Sequence, residues 1–381
     1  MSNTYDQVQQ HNRPATTAKQ QHSINQEFDR LSKSKQLLPI KVSSFFKKKI
    51  AKELAVLQHT QGPLHRMVYP SRDKLSLRAP GEVRDFVDDR SNMPAGIANT
   101  IIQKYHNRIL FLPTSVCAAH CQYCFRQDIL SEQHINPIRA LDQKLEQLQH
   151  YVQQRPHIEE VILSGGDPMT LPLAALDKII TCIQQQPSID AIRIHTKTIS
   201  YAPQVFGNEA KLKLLAHAGV RMVFHLVHPY EICDEVHEAI AKIRRHGIRC
   251  YNQFPILRHI NDHPRVLMQL LKKLDEIDVR NLSIFVPEPV HYSAAFRIHW
   301  QRLEQIMDEL NWHSCSWINS TRFVLDTPIG KVRRENLIDY DKKNGVVLFE
   351  RDGKRVQYPD LPEHLDTPGD LKTMLWQDAV N

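Results

Sequence analysis

No apolar run in the 381 residues approaches the roughly 18 to 20 that a membrane-spanning helix needs. The first 35 residues hold no apolar core behind a basic start, so no export signal is read and a cytoplasmic, membrane-free protein is expected. Charge is not gathered: 49 Lys and Arg stand against 42 Asp and Glu, a net +7, and the basic runs at 47–49, 272–273 and 331–334 are short. A nucleic-acid partner is therefore not expected. The seven cysteines show no spacing of a disulfide framework. Cys182, Cys233, Cys250 and Cys315 are scattered at positions expected to face a core. No repeat of solenoid length recurs.

What is present reads as a chain that folds. Hydrophobic residues make up 41% and charged residues 24%, the balance of a globular chain. Residues 1–35, rich in Gln, Asn, Ser, Thr and His, are expected to form a mobile tail, and 36–100 a helical arm with one helix near 45–57. From 101 to 320, short β-branched runs alternate with amphipathic segments, the pattern of repeated βα units. Six strands are expected at 108–114, 160–164, 191–196, 221–227, 248–254 and 282–286. Leu141, Leu145, Leu148 and Val152 share one face of a crossover helix. Residues 321–381 should add a small β appendage turning at Asp352-Gly353. The expected fold is α/β, a partial (β/α)6 TIM-like barrel with an N-terminal helical arm and a C-terminal β appendage.

The chemical signal is Cys117-Ala-Ala-His-Cys121-Gln-Tyr-Cys124, just past the 108–114 strand, at the barrel end where βα folds keep their active sites. Three thiolates at this spacing can hold a 4Fe-4S cluster and leave one iron with a free coordination position. A zinc site is the competing reading, with His120 as a fourth ligand, but no second Cys pair is present to complete the usual structural set.

With this triad the chain resembles the radical S-adenosylmethionine superfamily and, more narrowly, the lysine 2,3-aminomutase family, from about residue 38 to 358. The resemblance implies that S-adenosylmethionine on the cluster yields a 5'-deoxyadenosyl radical. That radical acts on an amino acid bound to pyridoxal 5'-phosphate, and the amino group moves from C2 to C3. Cys117, Cys121 and Cys124 then bind the cluster. The second family motif stands as Leu163-Ser164-Gly165-Gly166-Asp167-Pro168, with Gly165, Gly166 and Asp167 expected at the S-adenosylmethionine and the glycines read as allowing close approach of a ligand. His225 and His228 end the fourth strand and Asn252-Gln253 the fifth; His225 and Gln253 are taken as cofactor contacts.

Lys331, after Asp326-Thr327-Pro328-Ile329-Gly330, matches the family lysine that bears pyridoxal phosphate, although the glycine run before it is shorter here. Its approach is expected to be flexible. Lys104 and Arg108, in Lys104-Tyr105-His106-Asn107-Arg108, match the basic stretch near the cofactor phosphate, with Lys104 in place of Arg. Lys197 likewise stands where the family has Arg.

Arg126 corresponds to the arginine that grips the substrate carboxylate, and Glu288 and Asp326 to the acids that hold a substrate ammonium. A basic amino acid, L-lysine first, is the implied substrate. Free lysine metabolism and β-lysine supply to elongation factor P stay open as settings, and a radical enzyme without pyridoxal phosphate as an alternative. A flavodoxin- or ferredoxin-like electron donor and a homo-oligomer are implied too. The family's C-terminal zinc cysteines have no counterpart, and His263 stands at the position of their internal partner, so zinc is not expected.

Overall fold

A computed structural model describes residues 16–35, 37–97, 99–132, 140–318 and 320–378. Its centre is a nine-stranded sheet: β1 Ile101–Tyr105, β2 Arg108–Thr114, β3 Glu160–Gly165, β4 Ala191–Thr196, β5 Arg221–Phe224, β6 Arg249–Pro255, β7 Arg280–Phe285, β8 Arg322–Thr327 and β9 Gly330–Val332, in that order. β2 to β8 are parallel, while β1 and β9 run antiparallel at the two edges. The helices Leu141–Gln153, Leu173–Gln184, Glu209–His217, Asp234–Arg245, Pro264–Glu276 and Trp300–His313 fall between strands of this sheet. The partial barrel is thus as expected in class but larger than the six strands counted. The segment 322–327, assigned above to the appendage, joins the barrel as a seventh parallel strand.

A parallel strand covered on both faces is normally an unbroken apolar run. β4 and β6 alternate instead: Ile192, Ile194 and Thr196 are buried on one face, while Arg193 and His195 on the other are partly open. On β6, Cys250, Asn252 and Phe254 are buried between the partly open Tyr251, Gln253 and Pro255. The buried set faces the helices, so the partly open set, with Arg193, His195, Tyr251 and Gln253, faces a lumen.

The two edges of the sheet meet through side chains rather than a backbone ladder. Lys104 Nζ on β1 lies 3.1 Å from Asp326 Oδ1 on β8, and the Lys331 N–H on β9 donates to the Tyr105 hydroxyl on β1 at 3.0 Å.

The arm comprises the helices Ser44–Leu57, Pro63–Val68 and Arg72–Ser76, and Phe46, Ile50, Leu64, Met67 and Val68 join the main core. Buried Glu53 accepts from the Leu64 and His65 N–H groups at 2.9 and 2.8 Å, and burial raises its carboxyl to about 7. Residues 18–35 correct the expectation of a tail. They form the helix Ala18–Lys35, with Ile24 and Phe28, one turn apart, each only 2% exposed and Gln21 Nε2 donating to the Pro70 carbonyl. The polar composition hid a narrow apolar stripe sufficient to dock one helix. Residues 1–15 lie outside the described residues.

At the other end β10 Leu337–Asp341, β11 Val346–Arg351 and β12 Lys354–Pro359 form a three-stranded antiparallel sheet. Asp352 and Gly353, both at positive φ, turn β11 into β12. This sheet is fastened to the barrel: Arg297 donates to the Pro359 carbonyl and Asp360 accepts from Trp300 N at 3.0 Å. Among the described residues no helix is long and apolar enough to cross a membrane.

Candidate active site

The cysteine loop leaves β2 at the C-terminal mouth of the sheet, and the arm holds it by the main chain. His120 N–H donates to Lys41 O at 2.9 Å, His120 Nδ1 lies 2.7 Å from Pro39 O, and Gln122 N–H donates to Met67 O at 2.8 Å. Lys41 Nζ reaches the Cys117 carbonyl at 2.7 Å. His120 is therefore engaged by the arm through Nδ1. All three thiols are free, and Cys121 Sγ lies 3.1 Å from the Tyr201 hydroxyl. Burial pushes each thiol up, Cys124 to about 12, and each of the other two adds to it at Cys117. Three soft donors on one loop fit a polynuclear iron cluster, whose positive charge would favour the thiolates. Among the described residues no three His, Cys, Asp or Glu side chains are grouped to chelate a single ion. Of the remaining cysteines Cys250 is buried, Cys182 and Cys233 are half-buried, and Cys315 is exposed, against the expectation of a core position.

The Gly-Gly-Asp turn after β3 packs against this loop. A Cβ on Gly166 would come within 2.5 Å of the Ser115 carbonyl carbon and 2.6 Å of Val116 N and O; one on Gly165, at φ +96°, would meet Thr114 O at 2.9 Å. Gly166 N–H donates to Thr114 O, and Asp167 N–H to Val116 O, both at 2.8 Å. Close approach of the two loops to each other is thus a sufficient reason for the glycines. The Asp167 carboxylate is saturated from within the protein: Thr196 Oγ1 at 2.7 Å, the Lys197 and Thr198 N–H groups at 2.8 Å, and Met169 N–H at 3.1 Å. It ties the β3 turn to the end of β4 and so fixes the floor of the cysteine loop.

The strand-end pairs divide. Asn252 is fully buried and pairs with both the N–H and the carbonyl of Leu226, and His228 Nδ1 caps the following turn at Tyr230 N. His225 and Gln253 lie with the lumen set. Gln253 Nε2 is 3.3 Å from His195 Nδ1, and the His195 and His225 rings meet edge to face at 5.5 Å. The Nε2 atoms of both histidines are buried without a hydrogen-bond partner. Burial, with neighbouring cations, holds both rings neutral, His225 at about 3. The two Nε2 atoms are thus polar groups of the lumen left open to a ligand's hydrogen bond. Lys197 is no surface lysine: its Nζ pairs with fully buried Glu231 at 2.6 Å.

Lys331 sits on the edge strand β9, not on a flexible loop. Pairing of Thr327 with Gly330 and of Asp326 with Lys331 leaves only Pro328 and Ile329 in the turn. The missing glycines are the reason: a two-residue turn continues directly into a strand, whereas a longer glycine run would not. Burial lowers the Lys331 ammonium pKa, and Arg193, Arg108 and Lys104 add to that while Asp326 opposes it. Glu288 has its carboxyl raised to about 8 by burial and by Asp326. Arg126 donates from Nε to Asp89 at 2.7 Å and from Nη1 to Ser164 at 3.1 Å, which uses two of its five N–H donors.

The fold thus brings Lys104, Arg108, Arg126, His225, Gln253, Glu288, Asp326 and Lys331 to one lumen, and the cysteine and glycine loops to its mouth. Sequence reasoning missed three participants. His195 and Arg193 carried a signal, polar residues at alternate positions of an otherwise aliphatic strand. Asp89, on the arm, carried none. His263 serves as the cap of helix Pro264–Glu276, accepting from Arg265 N at 3.1 Å.

Comparison with known proteins follows the same lines. The Radical SAM superfamily profile matches residues 111–271. The chain is 32% identical over 250 residues to the L-lysine 2,3-aminomutase of Escherichia coli (strain K12), covering 65% of this chain and 70% of that one. To the L-lysine 2,3-aminomutase of Clostridium subterminale it is 26% identical over 311 residues, 81% of this chain and 72% of the relative. A Glutamate 2,3-aminomutase of Clostridioides difficile (strain 630) is 27% identical over 297 residues, at 76% and 69%. Among solved structures, a radical SAM methyltransferase from Sphaerobacter thermophilus aligns over 61% of this chain and 72% of its own, at 11% identity and TM-score 0.44. That likeness is too loose to carry a functional argument.

Proposed function

Because the chain belongs to the radical S-adenosylmethionine superfamily and, within it, to the lysine 2,3-aminomutase family, we propose that it moves the amino group of a basic amino acid, L-lysine first, from C2 to C3 with pyridoxal phosphate held at Lys331. The family assigns it to the aminomutase isomerases, working with a 4Fe-4S cluster and S-adenosylmethionine. Pyridoxal phosphate and the substrate are the further step. The observation that carries it is the state of Lys331: a buried amine whose proton is weakened by burial and by Arg193, Arg108 and Lys104. A carbonyl cofactor reacts with the neutral form of an amine, which a lowered pKa favours, and its phosphate needs such cations.

The cofactor, when bound, supplies a conjugated system over which an unpaired electron can spread during nitrogen migration. The chain's residues do the rest. Cys117, Cys121 and Cys124 hold the cluster at the mouth, and Gly165, Gly166 and Asp167 shape the wall against which S-adenosylmethionine would lie. Lys104 and Arg108 meet the phosphate, while His225 and Gln253, with His195, offer hydrogen bonds from the lumen wall. Arg126, aimed by Asp89, takes the substrate carboxylate. Glu288 and Asp326 receive the far ammonium, and the buried lumen excludes water. In the structure Asp326 is paired with the Lys104 ammonium, a partner that a substrate ammonium would displace and so release towards the phosphate.

The test is anaerobic reconstitution with iron, sulfide and pyridoxal phosphate, then S-adenosylmethionine and dithionite with lysine, ornithine, arginine or glutamate, reading β-amino acids by mass spectrometry. A β-amino acid from a basic substrate is expected, and its loss in Lys331→Ala. If 5'-deoxyadenosine accumulates while no candidate is converted, the aminomutase role of Lys331, Glu288 and Asp326 is withdrawn. (R)-lysine is run beside (S)-lysine, to address the elongation factor P setting.

A further inference from the structure

In an antiparallel pair, hydrogen-bonded and non-hydrogen-bonded positions alternate. Thr327 and Gly330 flank a two-residue turn and form the bonded pair that closes it, so Asp326 and Lys331 form the next, non-bonded pair. Two consequences follow. The Lys331 and Asp326 side chains project close together from one face of the hairpin. The Lys331 N–H and carbonyl point outward, where no further strand exists because β9 is the edge of the sheet.

Both outward groups are nevertheless taken, by residues far away in the chain. The N–H donates to the Tyr105 hydroxyl at 3.0 Å, and the carbonyl accepts from Arg351 Nη1 at 2.6 Å. Tyr105 is itself held by Arg108, whose guanidinium lies 3.8 Å from its ring centroid. Arg351 ends β11, so this second bond comes from the C-terminal sheet. The enclosure is close: a Cβ on Gly330 would sit 3.4 Å from Arg351 Nη1 and 3.5 Å from the Tyr105 ring.

We infer that Arg351 is a positioning residue for Lys331, through which the C-terminal sheet fixes where the lysine amine is presented to the lumen. The inference rests on the reading of Lys331 as the cofactor-bearing amine. A three-residue edge strand with two outward backbone groups would otherwise fray, and a frayed β9 would swing Nζ away from Arg193, Arg108 and Lys104. The guanidinium gives the carbonyl a charge-assisted donor from Nη1, while its Nε lies on the exposed Asp352 at 3.2 Å.

The experiment reconstitutes wild type, Arg351→Met and Arg351→Lys with iron, sulfide and graded pyridoxal phosphate. It measures visible absorbance, then borohydride-fixed pyridoxyl on the Lys331 peptide by mass spectrometry, with iron content and 5'-deoxyadenosine formation alongside. In Arg351→Met the pyridoxal phosphate needed for half-labelling should rise about tenfold, the equilibrium weight of one charge-assisted hydrogen bond, with iron and 5'-deoxyadenosine unchanged. Arg351→Lys, which keeps one donor, should recover most of the loss. Unchanged labelling in Arg351→Met overturns the inference, and so does a parallel loss of iron in both variants, which would make Arg351 a general fold support. A wild type that takes iron but never labels at Lys331 sinks the cofactor reading itself, an outcome distinct from the other two.

Discussion

The two ends of the reaction chamber are built on different principles. The cysteine loop is a contiguous stretch pinned by main-chain hydrogen bonds from the arm and by backbone contact with the Gly165-Gly166 turn. The lumen behind it is assembled from single side chains on β1, β2, β4, β6, β8 and β9, on the segments after β2, β5 and β7, and on the arm, held by charge pairs such as Lys104 with Asp326 and Arg126 with Asp89. A cluster site needs three like donors at fixed spacing, which one loop can supply. A site for a zwitterion and a phosphate needs opposite charges at several points in space, which only distant segments can supply.

The difference can be broken at either end. Cys124→Ala should abolish both iron binding and 5'-deoxyadenosine formation, whereas Lys331→Ala should abolish amino-group migration alone and leave the cluster signal intact by electron paramagnetic resonance. If Lys331→Ala also lost the cluster, the two halves would not be separable.

Next in size is the Arg126 pair. Asp89→Ala leaves a largely buried guanidinium without its carboxylate and should cost about 3 to 5 kcal/mol in denaturant unfolding. It should also raise the substrate KM more than it lowers kcat. A stability change under 1 kcal/mol would mean that the arm does not lock the lumen.

Gly166→Ala sharpens the loop-packing account. Its Cβ would press on Ser115 and Val116 backbone, so a loss of about 1 to 3 kcal/mol is expected, with weakened cluster retention on gel filtration. Wild-type iron content and melting temperature would instead return the glycine to a purely ligand-facing role.

The last test is a pH dependence. Glu288 stands at about 8 against an ordinary 4.5, so the folded chain keeps a proton that the unfolded chain has released. Its contribution to stability is complete at low pH and declines as pH climbs from about 4.5 towards 8. A basic substrate, which needs the carboxylate, should bind more tightly as pH rises through about 8, with Asp326 opposing and Lys104 and Arg126 aiding ionisation. Glu288→Gln should flatten both trends, and a KM profile unchanged by that substitution would remove Glu288 from the substrate site.

How much of this was legible before the fold was known follows from range. The βα alternation, the triad, the crossover helix and the Asp352-Gly353 turn are local patterns, and each is readable because periodicity and turn chemistry act over a few residues. The docking of Ala18–Lys35 was not, because Ile24 and Phe28 acquire meaning only when a surface exists to cover them. The entry of 322–327 into the barrel was missed for the same reason: a short strand does not declare which sheet it will join.

By itself, then, the sequence determined that three thiolates would stand together at the end of a βα barrel strand, since neighbours along a chain stay neighbours in space. Only the tertiary structure decided that Asp89 would pair with Arg126, that His195 Nε2 would be buried without a partner, and that Tyr105 and Arg351 would bond the Lys331 backbone. Those pairings link residues up to 226 positions apart. Their energies depend on burial and on opposite charges meeting, quantities that exist only after the sheet has curled and brought its two edges face to face.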